Sequence, residues 1–259
     1  MYILGVMHLY GEHVAEDRGK ALGLFRRAAQ MGHKDAQSNL GFMLSGGVGT
    51  ARDDRAAVAW LEQSTAAGSA DGAWMLGIML REGRGIPADP VRAAVLFAES
   101  AAAGSPHGQF YLGEALEYGT GVAQNWTAAA GSYRQAADRR HRDAQYHLAL
   151  MHAYGRGEWA GQPDVARALT LLKDAADAGH ALAMHHLGKM HFSGAGPGLA
   201  ADYGVALTWF ARAAETGDDR VAAEAAATRD ELRAFLDEAN AHTEGVLGQY
   251  EQYEGPEMG

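Results

Sequence analysis

The chain has 259 residues, 34 of them Gly and only 6 Pro, with 47% hydrophobic and 21% charged residues, a composition that fits a folded chain and excludes a disordered one. No run approaches the roughly 18 consecutive apolar residues of a membrane span, and the absence of Cys excludes disulfides, zinc-thiolate sites, iron-sulfur ligation and thiol nucleophiles. A net charge of -10, from 32 acidic against 22 basic residues without a Lys/Arg run, argues against nucleic acid or anionic lipid as a partner, because such binding needs Lys and Arg against phosphate.

From Met1 to His13 there is neither a basic n-region nor a small-residue cleavage site. With no signal peptide and no transmembrane segment, the expected location is cytoplasmic. The pair Leu-Gly then sets the organisation. It stands at Leu4-Gly5, Leu40-Gly41, Leu76-Gly77, Leu112-Gly113, Leu148-Ala149 and Leu187-Gly188, at intervals of 36, 36, 36, 36 and 39, and internal repeats of this period mean a repeat architecture. Seven residues after each Leu is a glycine: Gly11, Gly47, Gly83, Gly119, Gly155 and Gly194. Two further on come Gly49, Gly85, Gly121, Gly157 and Gly196, with His13 as the exception.

Around each Leu-Gly pair the apolar and small residues recur at helical spacing, as in Ala36, Leu40, Gly41, Met43 and Leu44, which predicts a first helix. The Gly-x-Gly ends it by admitting positive φ. A polar N-cap follows at Asp17, Asp53, Asp89, Asn125, Asp164 and Asp202, and Pro90 takes the favoured first-turn position, so a second helix starts there. Four residues in stands Ala21, Ala57, Ala93, Ala129, Ala168 or Ala206; four later comes Phe25, Leu61, Phe97, Tyr133, Leu172 or Phe210. The second helix closes on Gly32, Gly68, Gly104, Gly179 or Gly217, with Arg140 as the exception. Neither helix can bury its apolar side alone, so the units must stack.

After Gly217 the strong helix formers of 219–240 predict one capping helix, with Val221, Ala225, Leu232, Phe235 and Leu236 on its buried side. The stretch 241–259 has four Glu and no Lys or Arg. It is expected to be an acidic, mobile tail, ordered only against a partner. The expected organisation is therefore all-α: six helix-loop-helix units over 1–217, a capping helix over 218–240, and the tail. Helix should account for roughly 65 to 75% of residues.

The pattern of Leu-Gly, Gly-x-Gly, Asp, Ala, aromatic, Ala-Ala and Gly resembles the SEL-1-like repeat, a relative of the tetratricopeptide repeats. That resemblance implies a right-handed α-solenoid that binds proteins or peptides in its concave groove, as a non-catalytic scaffold or adaptor. It also brings two alternatives: a segment of the ER-membrane ubiquitin-ligase adaptor of this type, and a metal-binding or enzymatic protein using a late His cluster. Without Cys, the secreted bacterial members that carry a disulfide in each repeat are excluded. The family's aromatic four residues after the Leu is here His8, Leu44, Leu80, Leu116, His152 and His191. The first unit lacks the first turn of its first helix, so either the chain is a fragment of a longer solenoid or its N-terminal cap is bare.

His141, His147, His152, His180, His185, His186 and His191 fall within two repeats, and stacking would set His147 opposite His186 and His152 opposite His191. Such a ladder suits a metal. Against it, no His-x-x-x-His or Glu-x-x-His spacing puts two ligands on one helical face, and packing or solvation accounts for these residues. Asn125-Trp126-Thr127 fits the glycosylation acceptor pattern, but Asn125 is already an N-cap. Gly83-Arg84-Gly85 and Gly119-Thr120-Gly121 have no preceding strand and no following Lys-Ser/Thr, so they punctuate helices and do not cradle phosphate. No Ser stands in a Gly-x-Ser-x-Gly setting. No catalytic, cofactor-binding or metal-ligating residue is assigned.

At 100° per residue, positions two before and two after each Leu point away from the core side of the first helix. The earlier row reads Tyr2, Ser38, Trp74, Phe110, Tyr146 and His185; the later reads Val6, Phe42, Ile78, Glu114, Leu150 and Lys189. Met75, Tyr111, His147 and His186 adjoin them. Apolar groups on a solvated face suit a partner, which nominates Trp74, Ile78, Phe110, Tyr111, Tyr146, Leu150 and His185 as partner-binding residues. The same aromatics would equally serve to pack neighbouring units together.

Overall fold

The computed structural model describes residues 1–194 and 199–253, with side chains up to residue 241. Gly196 of the Gly-x-Gly row and residues 254–259 of the expected tail lie outside the described residues. Thirteen α-helices and the short 3-10 turn Gly157–Trp159 make up the regular structure, three quarters of the described residues are helical, and no strand occurs among them. The chain divides into two compact units, Met1–Pro163 and Asp164–Gly259.

In the first unit the helices alternate. First helices are α1 (Tyr2–Tyr10), α3 (Lys34–Gly46), α5 (Ala70–Glu82), α7 (Pro106–Tyr118) and α9 (Arg142–Tyr154); second helices are α2 (Arg18–Gln30), α4 (Asp54–Ala66), α6 (Pro90–Ala102) and α8 (Trp126–Asp138). Every first helix stops at the expected glycine in the left-handed conformation, from Gly11 to Gly155. Each expected N-cap carboxylate or amide accepts a backbone N–H three residues on, as Asp53 does from Ala56 at 3.0 Å and Asn125 from Ala128 at 2.9 Å. Asn125 thus has the backbone role that its position predicts.

Packing follows from two columns of small residues. Ala21, Ala57, Ala93 and Ala129 are completely or almost completely buried, and so are Phe25, Leu61, Phe97 and Tyr133. The ring or branched tip of the latter lies on the glycine of the Leu-Gly pair: a Cβ on Gly77 would stand 2.5 Å from Phe97, and one on Gly113 would stand 2.6 Å from Tyr133. Between units, the second glycine of Gly-x-Gly meets the start of the preceding second helix. A Cβ on Gly85 would lie 2.3 Å from the Asp54 carbonyl oxygen, so both its positive φ and this approach require glycine. Arg84 ties the same joint, donating to the Ser45 carbonyl at 2.6 Å and to Asp54 at 2.8 Å. Hydrogen bonds from Arg52 and then Arg84 hold the Asp54 carboxyl at a pKa of about 2.

Each of α3, α5 and α7 lies against its own second helix and against the preceding one, and α5 also touches α3 and α7. These three first helices are therefore packed on three sides. The longer interval before the sixth Leu-Gly comes from the loop after α9, which holds the 3-10 turn and sets the Trp159 ring 3.7 Å from that of His152.

The second unit contains α10 (Val165–Asp177), α11 (Ala181–Ser193), α12 (Tyr203–Ala214) and α13 (Asp219–Tyr253). Asp202 caps α12, and Phe210 lies over Gly188. Helix α13 packs on α12 and α11, burying Val221, Ala225 and Leu232 while Leu236 is half-buried against Phe210 and Leu232. Phe235, expected on the buried side, is 57% exposed. It lies about 70° around the helix from the centre of the buried stripe, too far to reach α12. The helix runs on past residue 240, where the sequence places the start of the tail, to Tyr253.

Candidate functional site

The first helices of unit Met1–Pro163 turn one face away from both layers of second helices. Rows five and one residues before, and two and six after, the Leu of the Leu-Gly pair line that face; in α3, α5, α7 and α9 none of these residues is buried. Phe42 is 41% exposed, while Met75, Ile78, Tyr111, His147 and Leu150 are half-buried. A strip of apolar and aromatic groups therefore borders solvent.

The nominated residues fall into two sets. Ile78, Tyr111 and Leu150 lie on the open face, and Trp74 is half-buried at its edge, stacked on His107 at 4.8 Å and Tyr111 at 5.7 Å between ring centres. The indole Nε1–H donates to Asp71 at 3.0 Å. Phe110 and Tyr146 are each only 7% exposed, and His185, in the second unit, 3%. Phe110 stacks on His141 at 4.9 Å and also meets Tyr133 and His147; His185 meets Phe210 edge-on at 5.5 Å. The row two before the Leu, expected to point outward, thus sits largely in the seams. A helix packed on three sides buries a wider arc than the single face assumed from periodicity, and this row lies within it.

Two groups escaped the sequence reading. The first is a polar cluster in the core. Glu117, 7% exposed, accepts at one oxygen from the Tyr133 hydroxyl at 2.7 Å and from His147 Nδ1 at 3.2 Å. Burial works to raise the Glu117 pKa, but those two hydrogen bonds, with the charges of His147 and Arg156, hold it below the usual carboxylate value. Burial, then the Glu117 charge, pushes the Tyr133 phenol far up. Tyr133 is the one hydroxylated ring in its column, and that was the available signal. The second is a set of histidine caps: His33, His141 and His180 accept the N–H of Ala36, Ala144 and Ala183 through Nδ1. Ser69 and Ser105 cap equivalent helices.

The late histidines consequently have separate tasks. His141 and His180 cap helices, His147 binds Glu117, His152 stacks on Trp159, and His186 contacts the Leu182 carbonyl at 3.2 Å. Among the described residues no three His, Asp or Glu side chains converge in a way that could hold a metal ion. No helix there is long and apolar enough to cross a membrane.

The Sel1 repeat pattern matches six consecutive segments, 1–33, 34–69, 70–105, 106–141, 142–180 and 181–218. Among solved structures, a Sel1 repeat protein from Oxalobacter formigenes is similar at a TM-score of 0.73 with 23% identity, over 84% of this chain and 85% of that one. A sel1 repeat protein from Klebsiella pneumoniae subsp. pneumoniae has a TM-score of 0.55 and 20% identity, over 84% and 100% of the two chains. An immunity protein from Pseudomonas aeruginosa has a TM-score of 0.52 and 17% identity, over 89% and 80%. At these identities the likeness is one of fold. No curated protein matches the chain.

Proposed function

The chain belongs to the Sel1 repeat family, and from that membership we propose that it is a non-catalytic scaffold that holds a peptide or protein partner in the groove formed by the first helices of unit Met1–Pro163. Sel1 repeat proteins are typically protein-interaction scaffolds, and generally non-catalytic. The observation that carries the reading is the apolar strip of Phe42, Ile78, Tyr111 and Leu150, edged by Trp74, on helices whose other sides are closed by packing. Contiguous apolar surface of this kind marks interaction sites. Phe110 and Tyr146 support the groove from beneath, as packed residues that set its wall, and His185 lies in the second unit.

The test is site-directed photocrosslinking in cells of origin. A photoreactive phenylalanine analogue at position 42 or 78 is expected to capture the same protein, and the analogue at Val95 on α6, also exposed, is not. Capture from Val95 alone would place the binding surface on the second helices and overturn the groove.

A further inference from the structure

The chemistry of the partner follows from the charges around that groove, an inference that rests on the groove being the binding surface. In the four rows that line the open face of α3, α5, α7 and α9, the charged residues are Asp35, Asp71, Glu82, Glu114 and Asp143; no Lys or Arg occurs there. Carboxylates in a first turn stabilise a helix by facing its free N–H groups, which accounts for Asp35, Asp71 and Asp143. It does not account for Glu114, in the second half of α7, which pairs with Arg81, or for Glu82, the last residue of α5, which pairs with Arg81 and Arg84.

The protein itself shows how this face holds a cation. Arg81, reaching in from the flank, sets its guanidinium 5.3 Å from the centre of the Tyr111 ring and 3.2 Å from the Glu114 carboxylate, beside a cleft lined by Arg81, Phe97, Glu114 and Tyr118. A ring face and a carboxylate together attract ammonium and guanidinium groups. One unit earlier the Asp71 carboxylate accepts the Trp74 indole N–H at 3.0 Å. The negative field reaches the phenols of the first helices: burial and then Glu114 raise the Tyr111 pKa, and burial followed by Asp35 and Asp71 raises that of Tyr2.

We propose that the groove recognises a basic segment of a partner protein, its Lys or Arg heads seated beside Asp71, Glu114 and Asp143, with its apolar residues on Phe42 and Ile78. Charge complementarity selects such a segment over acidic or neutral ones of equal apolar content and speeds its encounter.

The probes are three fluorescein-labelled peptides of one length and one Leu/Ala content, carrying Lys and Arg, Gln, or Glu at the polar positions, titrated against the full chain by fluorescence anisotropy. The cationic peptide is expected to bind at least about tenfold more tightly than the Gln peptide, and to weaken as salt rises. Asp71→Asn combined with Asp143→Asn should weaken it by about tenfold. Arg81→Gln, which frees Glu114, should tighten it, while Glu62→Gln with Glu99→Gln, on the second helices and equal in charge change to the Asp71 and Asp143 pair, should leave it unchanged; circular dichroism melts check that each variant is folded. Weakening by Arg81→Gln in a folded variant, equal weakening by the Glu62 and Glu99 pair, or no binding of the cationic peptide overturns the proposal. Equal binding of the Gln or Glu peptide, lost on Ile78→Ser, would overturn the basic partner and leave the groove standing.

Discussion

Arg140 and His13 stand where the other units carry glycine, and both keep the glycine's backbone, at φ 61° and 62°. At these positions the repeat imposes a left-handed turn on Arg and His as it does on Gly32, Gly68, Gly104 and Gly179, though Gly217 does not adopt it. That conformation costs an L-residue about 1 to 2 kcal/mol, partly offset by the larger entropy that glycine loses on folding. Arg140→Gly should therefore stabilise the protein by roughly 0.5 to 1 kcal/mol, read as a higher urea midpoint with unchanged slope. His141 offers a second residue-scale prediction. Its Nδ1 caps α9, its Nε2 lies 3.0 Å from His107 Nδ1, and its ring stacks on Phe110. Burial, then the neighbouring His107, with Arg142 adding and Asp143 opposing, lowers its pKa from the usual 6.5 to about 4. The unfolded chain thus binds this proton more readily, and stability should fall as pH drops from about 6.5 towards 4. His141→Ser keeps a cap of the kind seen at Ser69 and Ser105 and should flatten that part of the profile. An equal fall in unfolding free energy from pH 7 through 5.5 to 4.5 in the wild type and in His141→Ser, measured by urea denaturation, would show that His141 does not titrate this way.

Most of each element could be read before any coordinates. The N-cap column and the glycine stops act within three to five residues, so Asp53, Asn125, Gly83 and Gly119 declare helix ends locally. The row two before each Leu could not be read this way, because its burial depends on the next unit. Phe110 shows the difference. It is buried against Tyr133, His141 and His147, so Phe110→Ala should cost about 3 to 5 kcal/mol. Phe42→Ala, on the open face, should change stability by no more than about 0.5 kcal/mol while weakening partner binding. Thermal melts of the two variants side by side decide the matter, and similar losses would mean that Phe42 too is a packing residue.

At the scale of the whole molecule, a repeat chain leaves an apolar end wherever it stops. Leu232 of α13 completes a cluster with Ala206 and Phe210 of α12, so a chain truncated after Gly217 should melt at a lower temperature and associate as its concentration rises, measured by calorimetry and light scattering. An unchanged melting point in a monomeric truncation would show that α13 covers nothing needed. The sequence by itself determined the number of units, the two-helix plan of each, the N-caps of the second helices and the alanine, glycine and aromatic columns of the core, since those rest on short-range backbone preferences repeated six times. Only the tertiary structure decided which aromatics stay at the surface, that Arg81 shares Tyr111 and Glu114, and that Glu117 joins Tyr133 and His147. Those partners lie 16 to 33 residues apart in the chain, and their meeting depends on how each first helix is enclosed by its neighbours, which no local pattern encodes.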